Sequence, residues 1–404
     1  MSDSYDIVIA GGGMVGSSLA LALAPLGLSI AMVEAIPRGA AEQPSFDERS
    51  TALSRSSQRT FEALGLWPEV VAASTPIKHI RVSDRGRFGF ARIDADQQGV
   101  EALGYVVINR VLGGVLQKAI AGCGNVDVIC PARIEAVKTN TDAVTAVSDI
   151  DSGQRSLTGR LLVAADGARS QVRDMLGIGV EQKSYQQHAV IGNLMTERPL
   201  AGVAFERFTE QGPLALLPIT DGRAAFVWMV DDADQALSMS NDEFLDALQT
   251  LFGWRLGRFS RLGKRIAYPL TLSKALRLNA PRAVVVGNAA HGLHPVAAQG
   301  FNMGLRDVAT LADCISDEIA DGDIGGAAML ARYAEWRRAD HQKLVRFTDG
   351  LVGLFADARG PVRAARNLGM LGFDLVPGVR KLFAQHTMGL AGRLPRLSRG
   401  VPLA

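Results

Sequence analysis

The stretch Tyr5-Asp6-Ile7-Val8-Ile9-Ala10-Gly11-Gly12-Gly13-Met14-Val15-Gly16 joins an apolar run directly to a G-x-G-x-x-G loop. Tyr5 to Ala10 is rich in β-forming residues, which predicts the first strand of a buried sheet. Downstream, Ser17 to Ala24 predicts a helix ending before Pro25-Leu26-Gly27, and Leu28 to Val33 predicts a second strand that finishes on Glu34. Each part has a physical purpose. Gly11 permits the tight turn, Gly13 lets the backbone approach a pyrophosphate, and Gly16 lets helix and strand pack closely. The helix N-terminus offers free N–H groups and a partial positive charge to phosphates. Glu34, about 20 residues past the loop, can accept hydrogen bonds from a ribose diol. An acid there disfavours a 2′-phosphate, so the unit predicts an α/β fold that takes FAD or NAD rather than NADP.

With 404 residues, the chain predicts two domains sharing a large core. Apolar residues make up 48% and charged residues 21%, the balance of a globular protein in water. A net charge of +2 supplies no field that would hold nucleic acid by neutralising phosphates. Cys123, Cys130 and Cys314 lack metal-ligand or redox-pair spacing, which predicts small buried side chains in a reducing cytoplasm and no disulfide framework. Met1 to Asp6 lacks the features of a signal peptide. The apolar stretch from Ser17 to Val33 is broken by Pro25 and Gly27, so helix, turn and strand explain it better than a membrane span.

Two further segments carry signals. Leu161-Leu162-Val163-Ala164-Ala165-Asp166-Gly167 is an apolar strand entering an Asp-Gly turn, with Ser170 placed to cap a following helix. Ala283-Val284-Val285-Val286-Gly287-Asn288-Ala289-Ala290-His291 is again a strand entering a turn. Its continuation to Gly300 is dense in glycine and holds Pro295, which stops regular structure until about Asn302. Helical spacing then runs through Leu311, predicting a helix whose N-terminus points at a ligand.

In that order, the three segments resemble the class A flavoprotein monooxygenases, which share the para-hydroxybenzoate hydroxylase fold. The likeness runs from Tyr5 to about Trp336. Within the family, Phe46 to Ser54, Gly287 to Asp307 and Met388 to Pro395 are most similar to the ubiquinone-biosynthesis hydroxylases, in particular their methoxyphenol branch. The general pattern has aspartate where this chain has Asn288, a change that keeps an acceptor oxygen and loses the charge. Ala298 stands where glycine is more usual.

The resemblance implies a Rossmann-like FAD-binding domain with an inserted antiparallel-sheet substrate domain and a helical C-terminal tail. It places the FAD-binding domain at 1–72, 98–178 and 268–340, the substrate domain at 73–97 and 179–267, and the C-terminal region at 341–404. By the same likeness, Gly11, Gly13, Gly16 and Glu34 hold the ADP half of FAD, and Arg49 approaches the flavin side. Arg110 is similar to an arginine near the FAD phosphates, and Asp166 with Gly167 to a segment that arranges FAD. Gly287, Asn288, Pro295, Gly300, Phe301 and Asn302 would cover the ribityl and isoalloxazine portions. The implied chemistry is reduction of FAD by NAD(P)H, reaction with dioxygen to a C4a-hydroperoxide, and hydroxylation of a phenol ring from which water must be excluded.

His291 and His294 are the candidate acid or base groups, although neither pairs with a carboxylate at metal-ligand spacing and loop histidines often cap turns. No metal is expected. From about Gln182 to Pro269 short strands predict an antiparallel sheet laid over the flavin domain. Leu216, Pro218 and Trp228 are candidates to line an apolar cavity there, weighed against plain core packing. After Asp340, helical apolar segments such as Leu344 to Phe355 and Leu368 to Leu375 precede Arg380, Lys381, Arg393, Arg396 and Arg399 interspersed with apolar residues. That mixture suits either an anionic bilayer at the inner face of the cytoplasmic membrane, which fits a polyprenyl phenol substrate, or domain packing or oligomer formation; the resemblance also implies partners in a ubiquinone-biosynthesis complex. A halogenase would carry a Trp-x-Trp-x-Ile-Pro element, whereas all four tryptophans here are isolated. A flavin-dependent prenyl-chain reductase and a non-catalytic FAD-binding assembly subunit remain the alternatives.

Overall fold

The computed structural model describes residues 2–37, 48–86, 90–150, 153–210, 212–292, 300–320, 322–356 and 377–404. Its centre is a sheet in the strand order Asn279–Ala280, Ala283–Val285, Gly153–Ala164, Ser2–Ala10, Ile30–Val33, Val126–Ile129. The last five of these pair in parallel. Ile7 to Ile9, Leu161 to Ala164 and Ala283 to Val286 are all fully buried. Layers on both faces explain why these strands read as continuous apolar runs rather than alternations. An antiparallel hairpin, Ala132–Thr139 with Val144–Ile150, extends the sheet from Gly153–Ala164.

The first helix is Met14–Leu23, three residues longer at its start than the sequence suggests. It begins inside the glycine motif because Gly13 is extended and Met14 already helical. Pro25 does not end the turn; it sits in a 3₁₀ segment, Ala24–Leu26, closed by Gly27 at φ +75°. Ser170 caps the helix Gln171–Met175 by accepting from the Arg173 N–H, as its position three residues ahead implies.

A second, nine-stranded sheet lies over the first, in the order His291–Gly292, Ile266–Ala275, Val180–Thr196, Arg223–Val230, Gly212–Pro218, Val203–Thr209, His79–Asp84, Phe90–Asp94, with Phe259–Ser260 also on Val180–Thr196. It is antiparallel except where Val203–Thr209 runs beside His79–Asp84. One face is covered by the helices Ala233–Ser238 and Asn241–Phe252, where Leu214, Leu216, Phe226 and Trp228 pack on Phe244, Leu248 and Phe252. On the other face Ala204, Leu217 and Ala225 meet Ala52, Val106, Phe383 and Met388. A small sheet, Ser50–Ser54, Gly104–Ile108 and Ser74–Ile77, lies between.

The helix Asn109–Ala121 carries Gly114 at an exposed interior position, where an added Cβ meets nothing within 4 Å. Gly114→Ala is therefore expected to stabilise the fold by about 0.5–1 kcal/mol, because only backbone entropy changes. Urea unfolding with an unchanged slope and a higher midpoint would bear this out; a lower midpoint would refute it.

Candidate functional site

Parallel register brings the three distant segments to one edge. Ala10 lies opposite Ala164 and Val33, and Ala164 lies opposite Val285. The loops starting at Gly11, Glu34, Ala165 and Val286 thus leave side by side, at the carboxyl ends of the strands where such sheets bind ligands. The packing among them is tight. A Cβ on Gly11, which holds φ +101°, would stand 2.5 Å from the Ala165 carbonyl oxygen. On Gly16 it would stand 1.9 Å from the Gly11 carbonyl oxygen. On Gly304 it would reach Val15 at 2.9 Å and Gly287 Cα at 3.4 Å.

No side chain caps the helix that begins at Met14, which leaves its first N–H groups to a ligand. Beside it, Gly12, Met32, Glu34, Ile36, Val128 and Cys130 line a cleft. The Glu34 carboxylate accepts from the Gly12 N–H at 2.6 Å and the Ile36 N–H at 2.8 Å, so the acid is held at the loop as its place after the second strand implies. A dinucleotide's ribose and diphosphate fit this donor set.

Asp166 is turned inward. It accepts from the Ser170 hydroxyl and, at 3.2 Å, from the Val172 N–H, and burial raises its carboxyl above the ordinary range. Arg173 ties this segment to the third by donating to the Ala168 and Ala289 carbonyls at 3.2 Å. Gly287 adopts φ +58° in a 3₁₀ turn, and Asn288 at its crest is exposed.

Sequence spacing gave His291 no carboxylate partner, and here the structure differs. The helix Gly300–Ser316 returns beneath the turn, and Asp307 accepts from Gly287 N and pairs with His291 Nε2, both at 2.8 Å. The second oxygen of Asp307 meets Arg337 Nε at 2.6 Å and His341 Nε2 at 3.1 Å. All four side chains are almost wholly buried. Burial alone would raise the Asp307 carboxyl, but the Arg337 charge and the histidine contacts hold it well below the carboxylate range. Burial pushes the His341 imidazole down to about 4, so it is neutral. His291, Asp307 and His341 are spaced like metal ligands. With the Arg337 guanidinium 2.6 Å from the carboxylate, however, a cation there would meet direct repulsion. The cluster is an ion-pair network that carries the turn.

The remaining candidates fall in several places. Gly300 and Phe301 open the helix Gly300–Ser316. Asn302 spends its amide on the neighbouring strand, donating to the Ala52 carbonyl and accepting from Ser54 N and the Ser57 hydroxyl. Arg49 stacks on the Tyr268 ring, 4.9 Å from its centroid. Arg110 is exposed and pairs with Glu48 at 2.7 Å. His294 and Pro295, like Phe46, Asp47, Ala298 and Leu368 to Leu375, lie outside the described residues.

Leu216 and Trp228 do not face the signature loops, which corrects their placement as pocket residues. Both pack under the helix Asn241–Phe252, and Pro218 shares their side of its strand by the period-two rule. The opposite positions, Leu217 and Ala225, face inward. In the tail, Arg396 pairs with Asp313 and Asp317, and Arg393 sits 3.7 Å from the Trp336 ring centroid. These arginines serve internal packing. Among the described residues, no helix is long and apolar enough to cross a membrane.

A family described as "FAD binding domain" matches residues 4–348. A protein named ubiquinone hydroxylase UbiL, from Rhodospirillum rubrum, is 38% identical over 98% of this chain and 93% of its own length. The 3-demethoxyubiquinol 3-hydroxylase of Escherichia coli is 31% identical over 95% of this chain and 98% of its own. Among solved structures, p-nitrophenol 4-monooxygenase PnpA from Pseudomonas putida matches with a TM-score of 0.81 and 19% identity, over 97% of this chain and 100% of that one. That last likeness is one of fold.

Proposed function

The chain belongs to the FAD-binding-domain family and is an FAD-dependent monooxygenase, and from that premise we propose that it hydroxylates the ring of a polyprenylated phenol in ubiquinone biosynthesis, specifically 2-octaprenyl-6-methoxyphenol. The convergence of the three loops on one sheet edge, under a second sheet, is the observation that supports a flavin there with a ring substrate above it.

Gly11, Gly13, Gly16 and Glu34 would hold the ADP half of FAD, with the helix starting at Met14 directed at the diphosphate. Asp166 and Gly167, Gly287 and Asn288, and Pro295 with Gly300 and Phe301 would border the ribityl chain and ring, with Arg49 and Arg110 towards the flavin and phosphates. Bound FAD, reduced by NAD(P)H, supplies the activation of dioxygen. The chain's own task is then to fix the ring and keep water out, which suits the apolar inward face of the upper sheet. A prenylated substrate would draw the protein to the inner face of the cytoplasmic membrane and to partners of the same pathway.

Deleting the gene in its host and identifying the accumulated quinone precursor tests the substrate. A prenylated methoxyphenol is expected. The Escherichia coli relative's name favours one second reading, hydroxylation of a demethoxyubiquinol, and accumulation of that compound would replace the first. Undiminished ubiquinone would sink both.

A further inference from the structure

Among the described residues, the inward face of the upper sheet carries an acid, Glu206, on which no charge or hydrogen bond acts. Glu206 lies opposite Ala215, Ala215 opposite Val227, and Val227 opposite Ile191, so these four share one face. Ala204, two residues before Glu206, packs with Leu217 and Ala225 and with Ala52 across the layer, which identifies the face as the inward one. The strand holding Ala52 is clamped to the signature helix by Asn302. Further along the same face, Tyr268 carries Arg49, and Asn193 donates to the Glu48 carbonyl.

Glu206 is half-buried, yet burial pushes its carboxyl up to about 7, and no charge or hydrogen bond among the described residues contributes. Its position in the sheet, in line with Ala215 and Val227, puts it on the inward face rather than the outer surface. Its neighbours Val82, Ala204 and Ala215 are small and apolar. Charged or titratable groups on this face, or on the elements packed against it, include Asp84 beside Phe208, Arg223 in line with Ala225 and Val227, Tyr185 with Lys183 over its ring, Tyr268 with Arg49, Glu48 and His386. A half-buried carboxyl among apolar neighbours, with no partner among the described residues, costs the fold, which is a physical reason to look for a ligand that pairs with it.

We propose that Glu206 receives the phenolic hydroxyl of the substrate, first as hydrogen-bond acceptor and then as the base that takes its proton. This rests on reading the substrate as a phenol. In the step, the phenol O–H bond breaks, its electron pair stays on the ring oxygen, and an O–H bond forms on the carboxylate. The phenolate is richer in electrons at its ring carbons and so more readily hydroxylated; returning the proton restores both groups.

The test uses the FAD-loaded full chain with a short-chain prenylated 2-methoxyphenol and the methyl ether of that compound. In the unaltered protein kcat/KM for the phenol should rise with pH through about 7, where the carboxyl ionises. Glu206→Gln should lose roughly 100-fold or more in that constant and flatten the limb, whereas Glu206→Asp should keep the limb at a reduced rate. Preference for binding the phenol over its ether should disappear in Glu206→Gln, with FAD content unchanged in both variants. A Glu206→Gln protein that keeps rate and limb while the unaltered protein hydroxylates the phenol overturns this inference alone. An unaltered holoprotein inert to every phenol overturns the substrate reading and the inference with it. Loss of FAD from both variants would make Glu206 a structural residue and overturn it as well.

Discussion

Asp307→Ala is expected to yield a protein that neither folds stably nor retains FAD. The carboxylate is fully buried and holds Gly287, His291, Arg337 and His341 together. Its removal leaves the Arg337 guanidinium, also fully buried, with the Asp340 carboxylate at 2.6 Å as its one acidic partner among the described residues. Breaking a buried pair in this way costs about 3–5 kcal/mol, because one charge stays desolvated without its partner. Domains have only about 5–15 kcal/mol in total, so a large fall in melting temperature or insoluble expression should follow. The Gly287 turn should also loosen, since its N–H loses its acceptor. Asp307→Asn keeps the shape but drops the charge, and should fall between the two. Melting followed by flavin fluorescence, alongside circular dichroism, measures both effects. An Asp307→Ala protein with full FAD content and a melting temperature within experimental error of the unaltered chain would show that the network carries nothing.

Gly16→Ala should give a folded protein without flavin. The new Cβ would stand 1.9 Å from the Gly11 carbonyl oxygen, a backbone atom that cannot rotate aside. The loop and the helix Met14–Leu23 must therefore separate, at a cost of about 1–3 kcal/mol for overpacking. That displacement falls on the turn that approaches the diphosphate, so FAD affinity should drop by at least tenfold, about 1.4 kcal/mol. Gly27→Ala is the control: Gly27 holds φ +75° with open space around it, so only local backbone strain is added. FAD content after gel filtration decides the matter. If Gly16→Ala retains flavin as well as Gly27→Ala does, the close approach at this glycine is not what shapes the site.

How much could be read in advance depends on where the information resides. The strand, loop, helix and acid from Tyr5 to Glu34 lie within one short window, and glycine leaves a mark there because no other residue fits those backbone positions. The Ser170 cap is equally local. Asp307 is not legible as the partner of His291, because it stands 16 residues away, at no ligand spacing, on a helix that returns beneath the turn. Arg337 and His341, on a later helix, were not legible for the same reason.

The orientation of the upper sheet shows the limit most clearly. Arg223–Val230 reads Arg-Ala-Ala-Phe-Val-Trp-Met-Val, apolar on both of its faces, so alternation distinguishes two sides without saying which is inward. Only the packing of Phe244 and Leu248 against Trp228 answers that question, and it places Leu216 and Trp228 in the core under the covering helix rather than on the inward face. The sequence by itself determined the dinucleotide unit, the order of the three loops and the family likeness, because each is written in backbone constraints a few residues long. Tertiary structure alone decided that the loops share one edge, that Asp307 supports them, and that Glu206 looks inward. Those facts depend on strand register and layer packing between residues far apart in the chain, which no short window encodes.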